Sequence, residues 1–235
     1  MYNHLLFDAD GTLFDFKAAE RHALEALFHE LDIAGTDRMR TLYSEVNHAI
    51  WLEFEQGKIS LGSLKTERFR RFFDALHLGH DPLQTSIRYL DFLSRSDHLL
   101  PGAIEVLTTL KQRGYRLSLI TNGISRVQRG RLAATKTLSF FDHLVISEEI
   151  GSQKPDPAFF SALFSITNMD RYAQRHALVI GDSLTSDIKG GLDAQLDTCW
   201  YNPDKIPVDP QMKPTYEISR LEELLDLLPD EPVTS

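Results

Sequence analysis

Leu5-Leu6-Phe7-Asp8-Ala9-Asp10-Gly11-Thr12-Leu13-Phe14-Asp15 passes from a short apolar run into two acids and a glycine. An apolar run of this length reads as a buried strand, and buried strands belong to parallel sheets covered on both faces. If the strand continued, Asp8 and Asp10 would point to one side, because alternate residues share a face. Their charges would then lie close together, and a cation relieves that repulsion best. Carboxylate oxygens are hard donors that suit Mg²⁺, which keeps part of its water shell and also contacts phosphate oxygens. The same residues fit an Asp-Gly turn carrying a spare acid, so the segment marks a strand end before it marks a chemistry.

Four more apolar runs of strand length follow, at 117–121, 144–147, 178–181 and 198–201. Helix-length segments separate the later ones: 102–113 after Pro101, 125–134 after Gly123, and 157–166 behind Asp156, a good N-cap. This alternation predicts a parallel sheet with right-handed crossovers, an α/β core of Rossmann-like type. Residues 16–98 break the alternation. Apolar side chains there recur at helical spacing: Ala19, Ala23, Leu27 and Leu31; Leu42, Val46, Ile50 and Phe54; Phe69, Phe72, Phe73 and Leu76; Leu83, Ile87, Leu90 and Leu93. The expected architecture is a Rossmann-like parallel-sheet core, 1–15 and 99–235, with an inserted all-α four-helix-bundle cap, 16–98. Such a cap would cover the carboxyl edge, where open α/β sheets bind ligands. The stretch 229–235 reads as a frayed tail.

Composition narrows the partners. Lys and Arg number 25 against 34 Asp and Glu, a net charge of −9, which excludes a broad basic surface for a nucleic-acid polymer. A small anionic ligand remains open, because a local site need not follow net charge. Cys199 is the single cysteine of the 235 residues, so no intrachain disulfide forms, and its apolar neighbours Thr198, Trp200 and Tyr201 suggest a buried structural thiol in a reducing compartment. No stretch approaches the ~18 apolar residues of a membrane span. A cytoplasmic protein without a membrane partner is expected, as monomer or homodimer. The nine histidines are scattered without zinc-ligand spacing.

Three further segments place polar groups at predicted strand ends. Thr121-Asn122-Gly123 offers a hydroxyl and an amide, although Asn-Gly is also a common turn. Lys154-Pro155-Asp156-Pro157 stiffens the backbone around one lysine, which would neutralise a phosphate as a point charge or simply be solvated. Gly181-Asp182-Ser183-Leu184-Thr185-Ser186-Asp187 sets another acid beyond an apolar strand, able to complete a metal site or to cap a helix. Their common location at one sheet edge argues for a shared site.

In order and content these four segments resemble the haloacid dehalogenase-like phosphatases, with Asp-x-Asp-Gly-Thr-Leu, a strand-end Thr, a Lys-Pro and Gly-Asp-Ser-x-x-x-Asp. The resemblance implies Mg²⁺ held by Asp8, Asp10 through its backbone carbonyl, and Asp182, with Asp187 and Ser183 supporting the site from behind. It makes Asp8 the nucleophile that becomes an aspartyl phosphate and Asp10 the general acid and base. Thr121, Asn122 and Lys154 are then the phosphate-binding residues. The dehalogenase branch lacks the second acid, so Asp10 favours phosphate chemistry.

Substrate choice is expected in the insert. Asn47-His48-Ala49-Ile50-Trp51-Leu52-Glu53-Phe54-Glu55-Gln56-Gly57-Lys58-Ile59 combines aromatics, polar groups and a glycine break. Trp51 and Phe54 suit a bundle core; alternatively Trp51 and Phe16 line a slot for a flat base, with Asn47 or Lys58 as polar contacts. Asn-x-x-x-Trp, the following Gly-x-Ile, Leu144-Val145-Ile146-Ser147-Glu148-Glu149-Ile150-Gly151 and Thr198-Cys199-Trp200 are similar to bacterial pyrimidine 5′-nucleotidases of this superfamily. That similarity implies a nucleoside monophosphate substrate, UMP, dUMP or dTMP. The alternatives are a sugar-phosphate or phosphoglycolate phosphatase on the same core, or, from other classes, a phosphoacceptor signalling domain or an inactive binding domain.

Overall fold

The computed structural model describes residues 2–208, 212–230 and 232; of the tail expected at 229–235, residues 231 and 233–235 lie outside the described residues. The apolar runs become β1 (His4–Phe7), β2 (Arg116–Thr121), β3 (His143–Ile146), β4 (Ala177–Gly181) and β5 (Asp197–Tyr201). Ser147 opens a helix rather than closing β3. A sixth strand, β6 (Tyr216–Ile218), has no counterpart in the sequence expectation, since three residues carry too little periodicity to read. All six form one parallel sheet in the order β3-β2-β1-β4-β5-β6.

Between β1 and β2 lie α1 (Phe16–Glu30), α2 (Asp37–Glu55), α3 (Leu61–Leu76), α4 (Pro82–Ser94) and α5 (Ala103–Gln112). The later crossovers carry α6 (Ser125–Ala134), α7 (Ser147–Ile150), α8 (Pro157–Ile166), α9 (Arg171–Gln174) and α10 (Lys189–Asp193), and α11 (Glu223–Leu227) follows β6. Period-two alternation divides the strand side chains between two layers. Leu5, Phe7, Leu117, Leu119, Leu178 and Ile180 pack with Val106, Leu107 and Leu110 of α5. Leu6, Ile120, Val145 and Val179 meet Phe159, Phe160 and Leu163 of α8 on the other face. Cys199 sits in the first layer, where burial pushes its thiol up to about 12, the behaviour of a structural thiol.

Side-chain caps start the first four helices: Asp15, Thr36, Ser60 and Asp81 accept main-chain N–H groups, and Pro82 adds a fixed φ at the start of α4. Helix α4 packs against α1 and α3, α3 against α2, and α4 also against α6. Their shared core holds Ala19, Ala23, Leu27, Tyr43, Phe69, Phe72 and Tyr89, joined by Ile124 and Val127 at the start of α6. One expectation for this region fails. Leu83 and Ile87 are 52% and 42% exposed, because Tyr89 fills the centre instead, 5.5 Å from Tyr43 and 5.4 Å from Phe69 between ring centroids.

The strand order fixes where a ligand can sit. From β1 the chain builds outward through β2 and β3 on one side, then through β4, β5 and β6 on the other. The crevice outside the carboxyl ends of β1 and its two neighbours is therefore the topological switch point.

Candidate active site

Parallel register levels the strand ends at this crevice. Phe7 is aligned with Leu119 of β2 and Ile180 of β4. Asp8 and Asp182, just past β1 and β4, thus emerge beside Thr121, the last residue of β2. The Asp8 N–H still donates to Ile180 O at 2.8 Å, and then the chain turns. Gly11 has φ +87°, and a Cβ there would collide with the Asp182 carboxylate. Turn and close approach both demand glycine. A Cβ on Gly181 would likewise meet the Asp187 carboxylate. The two glycines let three acids converge: one oxygen each from Asp8, Asp182 and Asp187 lies within 4.8 Å of the others.

Lys154 enters the same cluster, 1% exposed. Its ammonium donates to Asp8 Oδ1 at 2.7 Å, Asp187 Oδ1 at 2.6 Å and Ile120 O at 2.7 Å. Asn122 clamps the lysine main chain, donating from Nδ2 to Lys154 O and accepting at Oδ1 from Lys154 N, both at 2.8 Å. The amide expected to bind phosphate thus also positions the lysine, with one of its two Nδ2 hydrogens. Ser183 N donates to Asp187 Oδ2 at 3.1 Å, and Trp200 Nε1 to Asp182 O at 2.8 Å, so strand β5 steadies the acid loop. Thr121 is 1% exposed, with Oγ1 accepting from Gly123 N at 2.9 Å.

One ammonium does not balance three carboxylates. Burial, then the Asp187 charge, holds the Asp8 carboxyl well above its ordinary value. The same two causes push Asp182 up to about 7. Burial opposes the charge on Lys154, yet the fields and hydrogen bonds of Asp187 and Asp8 outweigh it and hold the amine above the usual lysine range. A buried site with excess negative charge and hard oxygen donors suits a divalent cation of the Mg²⁺ type.

The Asp10 carboxylate does not join this cluster. Strand pairing ends at Phe7, so the period-two argument that paired Asp8 with Asp10 stops one residue too early. Asp10 instead accepts from Gln128 Nε2 at 2.5 Å and from Arg131 Nη1, both on α6. Arg131 is fully buried and lies over the Phe14 ring at 4.2 Å. Asp187, expected behind the site, has its carboxylate in the cluster.

Above the acids a cavity of about 350 Å³ opens between the strand-end loops and helices α1 and α2. Asp8, Asp10, Thr121, Asn122, Lys154, Asp182, Ser183 and Asp187 line its floor, and Phe16, Asn47 and Trp51 its roof. The roof also carries Lys17, Glu20, Ser44, His48 and Glu55, none of which the sequence singled out. Lys58 is exposed in the turn after α2 and does not line the cavity, because the helix ends at Glu55 and Gly57, with φ +69°, carries the chain away. Trp51 serves two surfaces, lining the cavity while its ring meets Phe54 edge-on at 5.6 Å. Gln128 and Arg131 carry no signal in the sequence, where they stand among Ser125, Arg126 and Arg129 on a helix that reads as solvated, and only the fold buries them.

A model of the haloacid dehalogenase-like hydrolase family matches residues 2–195. Pyrimidine 5′-nucleotidase PynA of Streptococcus pneumoniae is 39% identical over 97% of this chain and 95% of its own length. Pyrimidine 5′-nucleotidase YjjG of Escherichia coli is 33% identical over 97% and 98%. The crystal structure of the HAD-hydrolase YfnB of Bacillus subtilis bound to magnesium superposes with a TM-score of 0.89 at 39% identity, covering 96% of this chain and 98% of that one.

Proposed function

We propose that this chain, which belongs to the haloacid dehalogenase-like hydrolases, is a Mg²⁺-dependent phosphomonoesterase acting as a 5′-nucleotidase on pyrimidine nucleoside monophosphates. The observation that carries the chemistry is the cluster of Asp8, Asp182 and Asp187 around the buried Lys154 ammonium, opening upward into one cavity. Asp8 and Asp182 would hold the cation, with Asp187 beside them. Bound there, Mg²⁺ would offset the repulsion between an attacking carboxylate and an anionic phosphate.

The chain's own residues divide the rest. Asp8 attacks phosphorus, forming an O–P bond as the ester oxygen leaves with its electron pair. Asp10, turning from Gln128 and Arg131, gives that oxygen a proton. It then takes one from the water that attacks the aspartyl phosphate, which releases phosphate and restores Asp8. Thr121 and Lys154 bind the transferring phosphoryl oxygens. The charge on Lys154 is already in place before substrate arrives, and its ammonium reaches a phosphoryl oxygen by exchanging one of its three bonds, to Asp8, Asp187 or Ile120 O. Residues 16–98 act as a cap domain over a core of 1–15 and 99–235, excluding water from the reacting groups.

The nucleotide reading rests on similarity to PynA and YjjG along nearly the whole chain. The roof supports it, since Phe16 and Trp51 give flat apolar area beside polar groups, as a base requires. Phosphate release from UMP, dUMP, dTMP, AMP, phosphoglycolate and ribose 5-phosphate, each with Mg²⁺ or a chelator, tests both halves. Chelator-sensitive turnover fastest on pyrimidine nucleotides is expected. Faster turnover of phosphoglycolate than of every nucleotide would replace the substrate class while keeping the mechanism.

A further inference from the structure

The roof of the cavity contains a charged relay that the phosphatase chemistry does not use. Glu20 of α1, Asn47 of α2 and Arg68 of α3 are 8%, 4% and 1% exposed. Asn47 Nδ2 donates to Glu20 Oε2 at 2.7 Å, and Arg68 Nη1 donates to Asn47 Oδ1 at 3.4 Å. The two contacts fix the amide's orientation, since only its oxygen can accept from the guanidinium. Arg68 is held by aromatic faces, its Cζ 4.7 Å from the Tyr89 centroid and 5.4 Å from that of Phe69. Its Nε and Nη2 are buried without hydrogen-bond partners among the described residues.

Such an arrangement is a poor way to stabilise a helical bundle. Apolar residues of similar size usually serve as well or better than a buried charged set, and neighbouring inward positions are indeed Ala19, Ala23, Tyr43, Phe69 and Phe72. The position of the relay explains it better. Glu20 and Asn47 line the same cavity as Asp8 and Lys154, while Arg68 stands behind them. Burial raises the Glu20 carboxyl above its ordinary value, while Asn47, Arg68 and Ser44 pull it back down. In its ionised form it has only acceptors to offer, so it selects a ligand that presents a donor.

We infer that Glu20 is the base-selecting residue, accepting the imide N–H of a uracil or thymine ring, with Asn47 and Arg68 as the residues that position it. This rests on the nucleotidase reading above. The ring nitrogen of cytosine at that place is an acceptor and would face Glu20 lone pair to lone pair. Lys17, on the same roof, supplies a donor suited to a carbonyl that flanks an imide.

The test compares kcat/KM for UMP, CMP and ribose 5-phosphate in the wild type and in Glu20→Gln, whose amide keeps the shape but can also donate. Turnover of UMP should fall at least about tenfold relative to both CMP and ribose 5-phosphate, since a site built to bond one polar edge discriminates strongly. Equal loss on all three esters, or an unchanged UMP-to-CMP ratio, overturns the inference. Asn47→Ala gives a second reading should Glu20→Gln fold poorly, and should lower the same ratio. Arg68→Met should lower it too, through KM more than kcat; a loss in kcat alone with the ratio intact would make Arg68 structural only. A wild type that prefers phosphoglycolate to every nucleotide defeats the nucleotidase reading and this inference together. A wild type that prefers UMP, with a ratio insensitive to Glu20→Gln, defeats this inference alone.

Discussion

Asp8 is placed where folding disfavours it and chemistry needs it. It is 7% exposed, shares its surroundings with Asp182 and Asp187, and is compensated in part by Lys154. Asp8→Asn removes the charge while keeping the shape, and should move activity and stability in opposite directions. Phosphate release should fall by at least about 10³-fold, because no neighbouring group replaces a nucleophile. In chelator the melting temperature should rise, because one of three crowded buried charges is gone. Scanning calorimetry beside a phosphate assay checks both, and an Asn variant that is active or destabilised would contradict the role of Asp8. The sequence makes this placement legible, since an acid directly behind a buried apolar strand has few structural uses. Glu20 and Arg68 are illegible for the converse reason. One polar residue on a helix looks solvated until the neighbours that bury it are known.

At the scale of elements, five of the six strands and the Asp156 cap read clearly because each is local: an apolar run, or an Asp ahead of a helical period. What the sequence withholds is rotation. Leu83 and Ile87 share the helical period of α4, yet α4 turns Tyr89 inward, a choice made by Tyr43 and Phe69 on other helices. The contact of α4 with α6 shows the same dependence. Gly130 in α6 lies so close to Ser94 that a Cβ would collide with the Ser94 main chain. Gln128 and Arg131, the partners of Asp10, project from other sides of the same helix, so a displacement of α6 from α4 should bear on the site. Gly130→Ala should cost about 1–3 kcal/mol by overpacking, measured by urea unfolding. It should also lower kcat/KM more than Lys or Glu substitutions on the exposed side of α4 do; an unchanged kcat/KM would show that α4 and the site are independent.

Across the whole molecule, the two ends of the sheet answer pH in opposite senses. Acids crowd the carboxyl edge, while the amino edge buries His4, whose Nε2 lies 2.8 Å from Ser118 Oγ. Burial, assisted by the charge of Arg116, pushes His4 down to about 3. A depressed histidine contributes stability that is present above its unfolded pKa of about 6.5 and lost as pH falls. The loss should approach about 1.4 kcal/mol per pH unit below that point. Asp182 behaves inversely: its value of about 7 lies above the ordinary carboxylate range, so its contribution is present at low pH and lost as pH rises through about 7. In chelator the melting temperature should therefore pass through a maximum in weakly acidic solution. Saturating Mg²⁺ needs the ionised carboxylates, so it should lift the alkaline arm, by about 2.7 kcal/mol at a hundredfold excess over Kd, and leave the acid arm in place. His4→Gln should do the reverse, flattening the acid arm whatever its effect on absolute stability. Melting curves from pH 5 to 8, with and without Mg²⁺, separate the two ends of the sheet. An acid arm that keeps its slope in His4→Gln would assign it to other groups, and an alkaline arm indifferent to Mg²⁺ would remove the acid cluster as the cation's seat.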